Sequence, residues 1–130
     1  MRVEKQLAIF LENKPGTLAQ VCKVLAKKGV NIMAITVSDT VDHAVVRIVV
    51  NDANKALHLL GDAGVLVVES DVLVIDLPNM PGALAKIAGK LAAAKVNIEY
   101  LYGSGGQRQA RGTVVIRTTN LKKARKVLKG

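Results

Sequence analysis

The stretch that decides the fold is "LENKPGTLAQVCKVLAKKGVNI", Leu11 to Ile32, because the chain repeats it sixty-six residues later as "LPNMPGALAKIAGKLAAAKVNI", Leu77 to Ile98. In each copy a Pro-Gly pair ends an apolar alternating run and starts a helical pattern. From Leu11 to Ile35 the copies share eleven identities in twenty-five positions. Seven of these fall where helical or strand periodicity asks for core. The other four are Asn13, Pro15, Gly16 and Asn31, matched by Asn79, Pro81, Gly82 and Asn97. Packing accounts for the leucines but not for the asparagines.

Working outward, "EKQLAIFL" (4–11) alternates, with Leu7, Ile9 and Leu11 on one face, and reads as a strand. Leu18, Val21, Cys22 and Leu25 recur at helical spacing over about Thr17 to Lys28, and Gly29 suits the helix end. Residues 31–38 and 43–50 form a hairpin, Asp52 caps a second helix, and 65–69 is a further strand. The order is β-α-β-β-α-β. The second half restarts at once: Leu73, Ile75 and Leu77 match the first strand, and Leu84, Ile87, Ala88 and Leu91 match the first helix stripe. "GSGGQRQARG" reads as a longer, flexible hairpin loop that could serve as a lid. Asn120 caps a last helix, after which no fourth strand is left.

The expected fold is therefore α+β: two ferredoxin-like βαββαβ units, residues 1–70 and 71–130, with antiparallel sheets, helices on one face, and a second unit short of its last strand. Ala8, Phe10, Val72 and Val74 fall on the helix-free face. That predicts a second sheet or subunit covering part of it. The missing strand leaves an edge to be completed by a neighbour.

Composition narrows the functional classes. Half of the residues are hydrophobic, yet Phe10, Tyr100 and Tyr102 are the only aromatics. No apolar run nears the roughly 18–20 residues that span a bilayer, so no membrane role is expected. The start lacks a secretory pattern, and a cytoplasmic location is the default. One cysteine, Cys22, excludes an internal disulfide and sits on an apolar helix stripe. His43 and His58 have no spaced partners, and no catalytic constellation, metal set or cofactor motif emerges. The chain reads as non-catalytic. Its net charge of +9 is concentrated in residues 71–130, where eleven Lys/Arg face three Asp/Glu. A solvated Lys-rich face explains this most simply. The alternative, an RNA- or other nucleic-acid-binding module using the basic half, lacks the aromatics that stack bases.

The recurring cluster has a chemistry of its own. Pro-Gly forces a tight exit from the strand, and the N–H groups of the following helical turn carry a partial positive charge. A carboxylate there gains about 0.3–1 kcal/mol, and up to about 2 when partly buried. Asn offers an acceptor and a donor, so it can hold an ammonium and a carboxylate together. Asn-x-Pro-Gly is also an ordinary turn, and an Asn before a strand often serves only the backbone. The joint recurrence of both asparagines at fixed separation favours a ligand site. Asn31 and Asn97 lie at the far sheet edge, so they meet Asn13 or Asn79 only across an interface between units or chains.

"ENKPGTLAQVCKVLAKKGVNI" resembles the signature of ACT domains, small regulatory modules that bind amino acids, and nearly the whole chain is similar to a stand-alone tandem pair. The resemblance implies a non-catalytic allosteric sensor of a small free amino acid, expected as a homodimer acting on a regulated enzyme or regulator. In serine-sensing ACT domains of phosphoglycerate dehydrogenase, the Asn two before Pro and the Asn of "GVNI" contact the ligand. These match Asn13 and Asn31, and again Asn79 and Asn97. The implied contact set adds Pro15, Gly16, Thr17, Leu18 and Ile32 in the first half, and Pro81, Gly82, Ala83, Leu84 and Ile98 in the second. A His two positions before the first Asn completes the serine site; here Leu11 or Leu77 stands there. Lys95 likewise replaces the helix-ending Gly29 of the first half.

Overall fold

The computed structural model describes residues 1–129. The elements are β1 (Arg2–Glu12), α1 (Thr17–Lys27), β2 (Ile32–Asp39), β3 (His43–Val50), α2 (Ala53–Asp62), β4 (Leu66–Pro78), α3 (Ala83–Ala93), β5 (Ile98–Ser104), β6 (Arg111–Thr118) and α4 (Leu121–Lys129). They form two compact units. One is Lys5–Ser70; the other joins Met1–Glu4 to the chain from Asp71 onward.

In the first unit the strand order is β2, β3, β1 and the start of β4, the ferredoxin-like arrangement. Antiparallel register sets Leu7 opposite Ile48 and Ile9 opposite Val46. Helices α1 and α2 cover that face through Val21, Leu25, Ala56 and Leu60, all buried. Each such aliphatic side chain contributes roughly 1.5–3 kcal/mol by leaving water.

The second unit repeats the plan, with β5, β6, β4 and the start of β1 in order. Leu73 pairs with Ile116 and Ile75 with Val114. Leu91, Val96 and Ala124 close this core from the helix side. Among the described residues no strand follows α4, so this unit's own stretch is one strand short. What stands with it is the beginning of the same chain. Val3 shares the wall of a cavity with Leu121 and Arg125 of α4.

Strand β4 runs further than its sequence pattern indicates. The restart expected after residue 69 is absent, and β4 is one strand of 13 residues. Val65 and Val67 pack on the first core, whereas Leu73 and Ile75 belong to the second. All four occupy odd positions. The polar Glu69-Ser70-Asp71 thus interrupts the apolar run without changing its period, and the strand continues through it. On the helix-free face, Val72 and Val74 are buried and Ala8 is half-buried, while Phe10 is 38% exposed.

Helix ends follow local chemistry. The Asp52 side chain accepts from Lys55 N at 3.1 Å, and Asn120 Oδ1 accepts from Lys123 N at 3.0 Å. The first helix of each half is entered differently, through Gly16 (φ 91°) and Gly82 (φ 88°) in the left-handed region and without a side-chain cap. Past the C-termini of the same helices, Gly29 has φ 77° but Lys95 has φ 58°. A left-handed conformation costs a non-glycine residue about 1–2 kcal/mol, partly offset by glycine's extra unfolded-state entropy. Lys95→Gly should therefore stabilise the protein by about 0.5–1 kcal/mol, seen as a raised denaturation midpoint.

Candidate functional site

The strand-to-helix bend is braced in the same way in both halves. Asn13 N donates to Asp42 O at 3.1 Å, and its side-chain Nδ2 donates to Thr40 O at 3.3 Å. Asn79 N donates to Ala110 O at 2.9 Å, and its Nδ2 donates to Gly106 O at 2.8 Å and Gln109 O at 2.9 Å. Each asparagine ties its bend to the tip of the neighbouring hairpin. The expectation that one amide holds both ends of a zwitterion fails at Asn79, because both amide hydrogens are engaged by the loop. Its Oδ1 remains as an acceptor.

That loop, residues 105–110, is held as well as lengthened. Gln109 Oε1 accepts from Gly106 N at 2.9 Å while Gln109 N donates to Gly106 O at 3.0 Å. In the first half, Thr17 closes the bend by donating its hydroxyl to Glu12 O at 2.9 Å and Lys14 O at 3.2 Å. Its counterpart Ala83 has no hydroxyl and donates its N–H to Met80 O at 3.3 Å.

Asn31 and Asn97 sit at the other end of their helices. Their main chains are paired: Asn31 N donates to Asn51 Oδ1 and Asn97 N to Thr119 Oγ1, at 2.9 and 3.3 Å. Their carbonyls accept from Asn51 N and Thr119 N. Both residues are exposed.

Three cavities of the second unit contain its predicted residues, and they separate them. Asn79, Ala83 and Leu84 line one of about 340 Å³, completed by Leu77, Met80, Leu101, Val114 and the glycines 103, 105 and 112. Pro81, Gly82 and Ala83 border a second of about 470 Å³, between α3 and Leu128 of α4, with Lys86 and Lys90. Asn97 and Ile98 lie in a third of about 420 Å³ with Lys95, Ala88 and Ala92. Among the described residues, Asn79 lines the first of these cavities and Asn97 the third. In the first unit Asn13, Pro15, Gly16 and Leu18 are exposed at the bend, Thr17 is half-buried, and Ile32 packs against the core.

The 340 Å³ cavity has no charged side chain in its wall. Its floor is backbone. Gly103 occupies the repeat position of Val37, and a Cβ there would come within 3.1 Å of Thr113 O. A Cβ on Gly112 would lie 2.7 Å from Ser104 O, so the strands approach closely only because both residues are glycine. Sequence reasoning placed these glycines in a flexible loop. Gly103 and Gly112 instead belong to β5 and β6. The signal that marks them is a glycine where the other repeat has a side chain: Gly103 matches Val37, and Gly112, opposite Leu77, matches Ala44, opposite Leu11. Along the opposite wall α3 begins: Ala83 N–H is used by Met80, and the N–H groups of Leu84 and Ala85 precede the first full helical bond, Lys86 N to Gly82 O at 3.0 Å.

Comparison with known families agrees with this architecture. A model of the ACT domain pair matches residues 1–129. The chain belongs to the ACT domain pair family. This ACT pair is 44% identical to protein BT0572 from Bacteroides thetaiotaomicron, with a TM-score of 0.92 over 98% of this chain and 87% of that one. It shares its fold with the regulatory subunit of aspartate kinase from Thermus thermophilus (20% identity, TM-score 0.73, 99% and 94% covered) and with that from Thermus flavus (21%, 0.68, 98% and 88%). No curated protein gives a match. Among the described residues of the ACT pair no helix is long and apolar enough to cross a membrane, and no His, Cys, Asp or Glu cluster could hold a metal ion.

Because Asn79 contributes two side-chain hydrogen bonds to its loop, Asn79→Ala should cost about 1–2 kcal/mol. Amide hydrogen exchange of residues 105–110 should speed up in that variant. Asn13→Ala, which loses one longer bond, should have a smaller effect.

Proposed function

We propose that this ACT pair is a regulatory module that binds a small, free, uncharged amino acid in the Asn79 cavity of its second unit. The observation that carries the reading is the glycine floor: it lines an open space beside a polarised helix start, with Gly103 at the repeat position where the first half has Val37. The ammonium is received by Asn79 Oδ1 and the carboxylate by the first-turn N–H groups of Leu84 and Ala85. Leu77, Met80, Leu101 and Val114 meet the ligand's side chain. With no cation or carboxylate in the wall, aspartate, glutamate, lysine and arginine are poor fits. A volume near 340 Å³ lies at the lower end of ordinary ligand sites, which suits a molecule of under ten heavy atoms. Ligand efficiency then places the affinity at roughly micromolar to millimolar.

The same reading makes the protein a cytoplasmic homodimer that reports ligand occupancy to a protein partner. Asn31 and Asn97, absent from the Asn79 cavity, enter it as contacts from a second copy. Their exposed positions are what supports this assignment. The Asn13, Pro15, Gly16, Thr17 and Leu18 bend is the weaker counterpart of the second-unit site, with Ile32 in its core.

A thermal-shift panel of the common amino acids tests the proposal. Small neutral amino acids at millimolar concentration should raise the melting temperature by mass action. Gly105→Val should remove that shift: its Cβ enters beside Asn79 at ordinary contact distances, 3.5 Å from Gly112 Cα and 3.9 Å from Asn79 Oδ1, and its methyl groups take up ligand space. No shift with any amino acid, or an undiminished shift in Gly105→Val, overturns the assignment. Sedimentation with and without the stabilising amino acid tests the dimer. A monomer with full affinity would remove Asn31 and Asn97 from the site.

A further inference from the structure

Helix α4 carries a feature that neither the core nor the amino-acid cavity uses. Lys122, Arg125, Lys126 and Lys129, at helical spacings of three and four, surround a groove of about 650 Å³ floored by Val3 and Leu121. Repeat register says what the fold itself requires there. Asn120 and Ala124 match Asp52 and Ala56 of the first unit: the cap and the buried alanine are kept. The four cations stand where α2 has Asn54, Leu57, His58 and Gly61. Leu57 packs on the first core. Arg125 in its place is exposed, and Val3 beneath it remains 36% exposed. The second unit has therefore given up apolar burial for positive charge.

The charge is also uncompensated. None of the four cations has an acidic partner among the described residues, and Glu4 on the neighbouring strand is engaged by Arg2 at 2.9 Å. Four like charges on a helix about 13 Å long repel one another, a cost that an anionic partner relieves. The chemistry of the groove selects the kind of anion. No aromatic residue lines it, so there is nothing for bases to stack upon. The floor is apolar, and a nucleic-acid backbone has no apolar group to place on it.

We propose that this face docks an acidic amphipathic protein segment, whose aliphatic side chain covers Val3 and Leu121 while its carboxylates meet Lys122, Arg125, Lys126 and Lys129. The site stands independently of the amino-acid reading.

The test is an anisotropy titration of the full chain with a short labelled peptide in which Glu and Leu recur at helical spacing, beside a labelled single-stranded RNA. The peptide should bind, and weaken as salt rises from about 50 to 300 mM. The double variant Arg125→Gln, Lys126→Gln should lower its affinity about tenfold, while Lys27→Gln, Lys28→Gln at the end of α1 should change it less than about twofold. Amide shift mapping on the unmodified chain should place the peptide at Val3 and residues 121–129. The proposal fails if the peptide does not bind, if the α4 variant binds it as well as the wild type, if the shifts fall elsewhere, or if RNA binds more tightly and is lost in the same variant.

Discussion

Both halves depend on one constraint: a chain leaving the first strand of a unit must reverse into a helix within four residues and still present a fixed edge. Gly16 and Gly82 supply the left-handed turn, at φ 91° and 88°. Asn13 and Asn79 then fix its position by bonding backbone and side chain to the hairpin opposite. The bend alone would be a hinge, and the hairpin alone a loose loop. Joined, they hold the helix start and the strand ends at one corner of each unit, where the second unit keeps an open cavity. The asparagines recur because they couple two elements far apart in sequence, a duty that no apolar residue can perform.

Most of the fold was legible because its signals are local. Helical spacing located α1 and α3, Asp52 and Asn120 announced their helices, and Pro-Gly marked both bends. Strand continuity was not legible. Glu69-Ser70-Asp71 looked like a boundary because polarity interrupted the apolar run, yet only a change of period would have ended β4. The site was half legible. Asn79, Ala83 and Leu84, named from the sequence, line one cavity, but the sequence could not say that the Asn79 donors were already committed. Nor could it show that Asn97 lies in a different cavity. Those facts depend on which hairpin carbonyls come within 3 Å, and that is set by tertiary approach. Glycines 103 and 112 were visible as letters, but their role follows from two backbones drawn close together.

The two units diverge in opposite directions from one template. The first has Val37 at its corner position and packs Leu57 of its second helix on the core, and carries nearly balanced charge. The second exchanges these for Gly103 and Arg125, opening space at one place and placing charge at another. The second exchange forfeits apolar burial, since Leu57 packs on the first core whereas Arg125 is exposed, and a unit of this size can ill spare it. Duplication permits the division: one copy supplies stability, and the other is free to specialise.

The placement of Met1–Glu4 has a kinetic corollary. Residues 1–4 stand beside α4, so during synthesis they must wait for residues 121–129 before these neighbours exist. So long a loop raises contact order and slows the closing step. During synthesis the Lys5–Ser70 unit can assemble while the leading residues hang free. The polar side chains of Arg2, Glu4 and Lys5 suit that wait, since a charged segment resists pairing with other nascent chains.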